Sequence, residues 1–513
     1  MSAPAILPSS VPTLPGVPLL GNAQEVSRDA LAAFSRAFAE HGDLVRLKIG
    51  AGTLYLASHP ELAQQVLVEG TSTFLKVEQE GKPAQGLGLL GGMGLLTNPD
   101  FESWRTQRRM MQPMFHRARL ATMGDKMTQA TAQMLVRWEG LETIDIDAEM
   151  LHVTMDIICR TMFSADISGD AGRAAQATDV ALRFLIKLIF SAVKLPVSWP
   201  LPGNRRFTRA LATIDEIIYG LIDARAGHVG EFGDLLDMLL EARGEGTGEP
   251  MTRKQVRDEV VTVFSAGHET TAHSLAWTWY LLARHPEILA TMQAELDTVL
   301  AGRPPTTDDL KRLPCTTQIF QESMRLYPAA PIIPRRMEGQ AELGGYVLQG
   351  PARVMTSVYN IHRHPEFWPD PLRFDPERFS PARSAGRHRL AYMPFGAGSR
   401  MCIGNNLAMT EGVLPAGSGG PEVQPGAAGH GPDGTQDRRH PATGGRHSDA
   451  ARAPQVAVQV AAASCGRFTR QLCTRPTCTA TKRSSARHSS ARPCTLSGSS
   501  ISPRTLTRAK PRR

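Results

Sequence analysis

The 513-residue chain contains no run of 18 or more uncharged apolar residues, so no helix is expected to span a membrane. The nearest candidate, residues 184–202, is interrupted by Lys187, Lys194 and three prolines. The N-terminus shows no basic stretch followed by an apolar core, so no secretory signal is read there. Cysteine is sparse before residue 414, limited to Cys159, Cys315 and Cys402. Three scattered thiols argue against a disulfide framework and fit a reducing compartment. A soluble, cytoplasmic chain is the expectation.

Acidic residues are nearly missing from the last part of the chain. Of the 57 Lys and Arg, 16 fall in residues 414–513, against 4 of the 49 Asp and Glu. Residues 1–413 therefore hold 41 basic and 45 acidic side chains, and the net charge of +8 belongs to the tail. The basic balance thus carries no argument for a nucleic-acid partner. Aromatics vanish from the tail as well, with Phe468 the only one. It is rich in Gly, Pro, Ala, Arg, Ser and Thr and holds no helical or strand period. Three segments follow: a proline-rich leading segment over 1–26, a body over 27–413, and a low-complexity basic tail over 414–513.

What is present centres on Phe395-Gly396-Ala397-Gly398-Ser399-Arg400-Met401-Cys402-Ile403-Gly404. Three glycines permit close backbone approach and positive φ. Cys402 stands just ahead of a helix expected from Ile403 to about Glu411. Backbone N–H groups and the helix N-terminus there would lower its pKa and favour the thiolate. A thiolate in a dry loop suits haem iron as an axial ligand. A lone cysteine would read as structural; the whole ten-residue pattern, F-G-x-G-x-R-x-C-x-G, resembles the haem-binding loop of the cytochrome P450 family.

Upstream segments extend the resemblance over residues 12–413. Helical spacing over Glu102–Met111 places Trp104 and Arg108 on one face. The family's Trp-x-x-x-Arg helix implies that both reach a haem propionate, a role the planar guanidinium suits. The longest helical run, Thr252–Arg284, spans roughly 45–50 Å. At its middle lies Ala266-Gly267-His268-Glu269-Thr270-Thr271. Gly267 costs a helix about 1 kcal/mol relative to Ala. With Ala266 and Thr270 it makes a small polar notch that can admit dioxygen and water. A threonine there can also bond back to a carbonyl. By resemblance, Thr270 is the hydroxyl beside the oxygen and Glu269 relays protons to it. Glu322 and Arg325 share a helix face, and with Arg378 of Pro376-Glu377-Arg378-Phe379 they match the family's locking triad. Arg335 is the choice for a second propionate contact, with Arg336 the alternative, and Arg400 is the third. His362 reads as structural.

Other segments read more simply. A helix is expected over Ser27–His41, strands over Leu44–Ile49 and Thr53–Ala57, and a helix over Pro60–Glu69. Leu87–Leu96, glycine-rich and apolar, suits a mobile loop over a pocket. Helices around Ala181–Val193 and Phe207–Ala224 would form the family's lid, with breaks at Ser168-Gly169-Asp170 and at Pro200–Asn204. Strands are expected over Gly344–Val347 and Arg353–Ser357. The substrate pocket would draw on Ala266, Ala330 and Ile332. Pro415 and Gly417 should end the helix after Cys402.

The fold implied is mainly α with small β-sheets, the cytochrome P450 fold in one large domain with its C-terminal part missing or disordered. The resemblance implies a monomeric monooxygenase carrying haem b on Cys402, with Phe395, Gly396 and Gly404 shaping the cofactor loop. It would insert oxygen from dioxygen into an apolar small molecule of secondary metabolism, by hydroxylation or epoxidation. Electrons would come from separate partners, a ferredoxin and its reductase. The competing expectation is a non-catalytic, haem-deficient product. The tail replaces an element the fold needs, as a reading-frame change near Leu414 would.

Overall fold

A computed structural model describes residues 10–417 except 80–84, 140, 142, 167–169, 192–194 and 244–247, together with 423–425 and 457–460. Most of the basic tail, the start of the leading segment, the break at Ser168-Gly169 and the end of the helix expected to reach Val193 lie outside these residues. The chain divides into two units, 1–471 and 472–513, and the second lies wholly outside them. Among the described residues no helix is long and apolar enough to cross a membrane.

Helices dominate, and their ends follow local chemistry. The helix expected over Ser27–His41 is two helices, Ala23–Arg28 and Ala30–His41. Asp29 separates them in extended conformation (φ −153°), and its carboxylate accepts the Ala32 N–H, an N-cap that restarts the helix. The central helix, Arg253–Arg284, opens with a capping box between Thr252 and Gln255. From Val256 to Ala283 only Ala266 and Thr270 are exposed. Its strongest neighbour is the helix Ile146–Met162. A Cβ on Gly267 would come within 2.7 Å of Ile158 Cδ1, so Gly267 is small to let these two helices meet. It does not widen the notch.

A four-stranded sheet orders Leu44–Ile49, Gly52–Ala57, Ala352–Ser357 and Ile332–Met337, with only the middle pair parallel. The sequence pattern does not predict the last strand. Its Ile-Ile-Pro-Arg-Arg run lacks clean alternation, and its pairing partner lies in register across Pro334↔Met355. The strand expected over Gly344–Val347 is a hairpin instead, Ala341–Leu343 with Tyr346–Leu348, turning on Gly344 and Gly345 at positive φ.

One segment is more structured than expected, and one expectation about the end of an element fails. Leu87–Leu96 is not wholly loop. It holds a short helix, Gly88–Gly91, and is bonded to the central helix through Met93 N–H to Asp258, Leu95 N–H to Glu259 and Arg257 to the Leu90 carbonyl. Pro415 does not end the helix after Cys402, which runs Asn405–Gly417 with Pro415 inside it. Val413, Leu414 and Ala416 are all buried there, and their packing outweighs the donor that proline removes. Tail residues Ala457–Val460 pair with Thr143–Asp145 and with Val423–Pro425, although no strand period marks them in the sequence.

Candidate active site

The loop Phe395–Gly404 is closed on itself. Cys402 N–H donates to the Phe395 carbonyl at 2.9 Å, Gly396 N–H to Met393 at 3.0 Å, and Met401 N–H to Gly398 at 3.2 Å. Gly396 and Gly398 both have φ near 73°, and a Cβ on Gly398 would stand 1.9 Å from the Leu67 carbonyl oxygen. Glycine is obligatory at 398 on both counts. Gly404 is freer, since its Cβ would meet only Phe115 and the Cys402 sulfur at ordinary contact distance.

Cys402 is enclosed on nearly all sides, yet its surface is open to solvent, as in the wall of an internal cleft. Burial raises its pKa. The Gly404 N–H and the Arg108 charge oppose that rise without overcoming it. The expected low-pKa thiol is therefore not a property of the polypeptide alone. A bound metal cation would reverse the balance, because a coordinating thiol is deprotonated outright.

A frame of buried charge locks the region behind this loop. Glu322 and Arg325, both fully buried, form a bidentate pair at 2.6 and 2.8 Å. Arg378 Nε lies 3.4 Å from Glu322 and spends its other nitrogens on the carbonyls of Pro369 and Asp370. Arg325 also reaches the carbonyls of His362, Pro371 and Arg373. His362 joins this frame to the loop: its Nδ1 faces the Arg325 carbonyl and its Nε2 accepts the Met393 N–H. Only the Nδ1–H tautomer satisfies both contacts, and burial holds the ring neutral by lowering its pKa to about 3.

Cations gather on another side of the loop. Arg400 stacks over Trp104 at 4.5 Å and donates to the Asn98 carbonyl. Burial lowers its pKa to about 10, and the nearby Arg335 charge adds to the effect. Arg335 is buried and points opposite to Arg336, which is paired with Glu338 on the other strand face. Lys76 completes the group. Burial lowers its pKa to about 8, Glu78 opposes the fall at 3.7 Å, and Arg335 and Arg400 assist it. Three cations thus share one acid, an excess suited to a ligand with two carboxylates. No motif marks Lys76, which sits in an irregular segment. Arg108 stands apart from this group, bonded to the Met401 carbonyl at 2.5 Å and close to Cys402.

On the central helix, Thr270 Oγ1 donates to the Ala266 carbonyl at 2.8 Å, and Thr271 bonds back to Gly267 in the same way. Glu269 is enclosed. Burial and Asp179 raise its pKa to about 8 against the opposing charge of Arg183, so it holds its proton at neutral pH. Asp179 and Arg183 belong to the helix Ala171–Phe190, which places that expected lid helix against Glu269. Its partner, Pro202–Ala224, starts inside the expected Pro200–Asn204 break and is stacked on it through Phe184 and Phe207. His268 is buried, with Nδ1 on the Phe264 carbonyl. Ala330 is exposed, but Ile332 packs into the sheet core with Ala30 and Ile49. Its neighbour Ile333 is the residue that approaches Gly396, because strand alternation puts 333 and 335 on one face.

Asp43, His59 and His364 form a group with metal-like spacing. Both rings accept a backbone N–H at Nδ1, from Glu61 and Glu366. Their Nε2 atoms therefore carry the protons and face Glu366 and Asp43 at 3.5 and 3.1 Å. No ring lone pair is left for an ion, and Asp43 alone makes no metal site.

The family model that describes cytochrome P450 matches residues 11–414. Cyclooctatin synthase of Streptomyces melanosporofaciens is 38% identical over 403 residues, 78% of this chain and 86% of that protein. Cyclooctat-9-en-7-ol 5-monooxygenase of the same organism is 38% identical over 415 residues, 80% and 89% of the two chains. Pentalenene oxygenase of Streptomyces avermitilis is 35% identical over 407 residues, 78% and 88%. Among solved structures, the cytochrome P450DA heme domain aligns with a TM-score of 0.73 at 29% identity, covering 83% of this chain and 94% of that one.

Proposed function

The chain belongs to the cytochrome P450 family and is a monooxygenase acting on apolar substrates; from that premise we propose that it binds haem b through Cys402 and oxidises a polycyclic terpene. The observation that carries this is the exposure of Cys402 in its glycine-rich loop and of Ala266 and Thr270 alone along an otherwise buried stretch of the central helix. The names of the three relatives support the terpene class. The cation group supports the cofactor, since Lys76, Arg335 and Arg400 with Glu78 leave two positive charges for two propionates.

Bound haem would supply the reductive activation of dioxygen. The residues hold, orient and protonate. Cys402 would be the thiolate that holds the iron, in a loop that Gly398 lets pass under Leu67. Arg335, Arg400 and Lys76 would hold the carboxylates, and Trp104 supports Arg400. Thr270 presents a hydroxyl to the cleft, and Glu269, protonated at neutral pH, resupplies its proton. In the overall reaction one atom of dioxygen would enter a C–H bond or an alkene and the other would leave as water, with two electrons from a separate donor, a ferredoxin with its reductase, and two protons that Glu269 and Thr270 would deliver. A reduced carbon monoxide spectrum of the purified chain tests the ligand, and a spin-state titration with tricyclic terpene hydrocarbons tests the substrate class. A thiolate-type band and saturable binding are expected. Their absence with added haem would overturn the reading.

The second reading, a haem-deficient product, rests on residues 414–513. Of the 47 residues from 414 to 460, only Ser418, Thr435, Thr443 and Ser448 need a codon beginning with A or T. In the central helix 11 of 32 do. G and C concentrate at third codon positions in GC-rich genes, so these first bases behave as third bases of a frame read one base later. In that frame Leu414, Pro415 and Ala416 become positions open to Phe, Leu and Leu. The codon across Glu422 and Val423 can encode only Lys or Arg. Residues 437–441 admit Thr or Ile, Val, Val, Thr or Ile, and Leu, a strand-forming run. The later frame thus admits a continued helix and a closing strand where the present one has proline and glycine. Resequencing the gene and weighing the intact protein test this. A frame restored after Val413 should raise haem content, and an authentic frame with this tail and full haem content would overturn it.

A further inference from the structure

Glu259 lies eleven residues before Thr270. At 100° per residue the two fall within about 20° of each other on the central helix, roughly 16 Å apart along its axis. The stripe that presents Ala266 and Thr270 to the cleft therefore continues to Glu259. There the helix is covered by residues 86–97, whose Gly86 in turn approaches Ile189 of the lid helix. Glu259 is fully buried. One carboxyl oxygen accepts the Leu95 N–H at 3.0 Å, and the other has no partner. Its neighbour Asp258 is satisfied by the Met93 N–H, Lys254 and Arg257, and Arg257 is shared with Asp215. Asp258 is the charged group facing Glu259, and among the described residues no cation is spent on it. The covering segment contributes backbone at this point, and Gly94 lies so close that a Cβ would be 2.2 Å from Thr262 Oγ1.

We propose that Glu259 is a positioning residue for the oxidation: as an uncharged acid it latches the segment 86–97 over the far end of the cleft and sets access for substrate. The inference rests on the cleft reading above, but its test does not need haem. A neutral carboxyl can accept the Leu95 N–H and remain buried. An ionised one with an unpartnered oxygen beside Asp258 must open to water or gain a counter-charge.

The sign follows from where the proton is held. Burial raises the pKa of Glu259 from 4.5 to about 7, the Asp258 charge adding to the rise. The closed latch is therefore favoured fully below the ordinary carboxyl value. That advantage falls as pH rises toward about 7 and then levels off, because above it the closed and open forms are both ionised.

Amide hydrogen exchange of the full chain, corrected for the intrinsic rate, reads this at Leu95. Opening should increase on the order of 100-fold between pH 5 and pH 7.5 and then flatten. Glu259→Gln should keep protection and remove the pH dependence. Glu259→Leu, which cannot accept the bond, should open Leu95 at every pH. Protection at residues 271–283 serves as the folding control. A flat profile in the unsubstituted protein, or an unchanged slope in Glu259→Gln, would overturn the latch even if the terpene reading stands. Failure of terpene binding with the slope intact would sink only the terpene reading.

Discussion

The wall that carries Cys402 and the wall that carries Thr270 are held in opposite ways. Behind Cys402 the charges are paired with one another: Glu322, Arg325, Arg378 and the carbonyls of residues 362–373 form one buried frame, and His362 hands it on to the loop. Along the central helix the polar groups are individually satisfied by their own helix, as Thr270, Thr271 and Ser274 are, or are left with spare capacity, as Glu259 is. A fixed wall suits a ligand atom that must not move. A wall of protonated and half-bonded groups suits proton delivery and a changing substrate. Substitutions on the first wall should therefore act on folding and cofactor retention, and those on the second on product yield.

The sharpest way to break the comparison is Cys402→Ser, which removes the donor without disturbing the frame. Monooxygenation should fall by more than ~100-fold, with the thiolate-type carbon monoxide band lost and the thermal midpoint of the haem-free chain unchanged. Glu322→Ala should do the reverse in kind. It strands Arg325 and Arg378 without their carboxylate and should cost about 3–5 kcal/mol, read as a lower denaturation midpoint with or without haem. If Glu322→Ala leaves that midpoint in place, the frame is not what fixes the first wall.

The two walls were unequally legible in the sequence. The Glu-x-x-Arg pair, Arg378 and the glycines around Cys402 could be placed because short motifs fix them: i,i+3 spacing sets Glu322 against Arg325, and only glycine tolerates φ near 73° at 396 and 398. The distal wall was legible only at its notch. Gly267 proved to be a packing glycine facing Ile158, and Glu259 gave no signal, because its role comes from what covers it. Lys76 was invisible for the same reason, brought beside Arg335 and Arg400 by tertiary structure. Ile332 cannot be told from Ile333 in the sequence because the Ile-Ile-Pro-Arg-Arg run shows no strand period, and without a strand there is no alternation to choose between them. Pro415 reads as a helix end because local propensity takes no account of the burial of its neighbours.

On the second wall, Thr270→Val keeps the shape and removes the hydroxyl. Product formed per electron consumed should drop roughly 10- to 100-fold, with the thermal midpoint moved little. Glu269 supplies the accompanying pH signature. Its pKa is raised to about 8, chiefly by burial, so its proton is present at neutral pH and is lost as pH rises through about 8. Product yield should decline above that point, while Glu269→Gln should be slow and flat with pH. A decline that persists in Glu269→Gln would assign the titration elsewhere.

The smallest expected effect lies in the cation group of Lys76, Arg335 and Arg400. Lys76 is one of three cations there, shares Glu78, and has its pKa lowered to about 8 by burial and by Arg335 and Arg400. A depressed lysine is charged below that value and neutral above it, and a bound carboxylate favours its charged form. Its contribution to holding a carboxylate should therefore be present at pH 7. Charge-assisted hydrogen bonds contribute about 1.5–3 kcal/mol, and sharing with Glu78 places Lys76 at the low end. Lys76→Met should thus speed haem loss about tenfold at pH 7, measured as transfer to a haem-scavenging globin. Lys76→Arg, which keeps the charge, should retain haem like the unsubstituted chain. Equal loss rates for all three proteins at pH 7 would leave Arg335 and Arg400 as the cations that matter and remove Lys76 from the clamp.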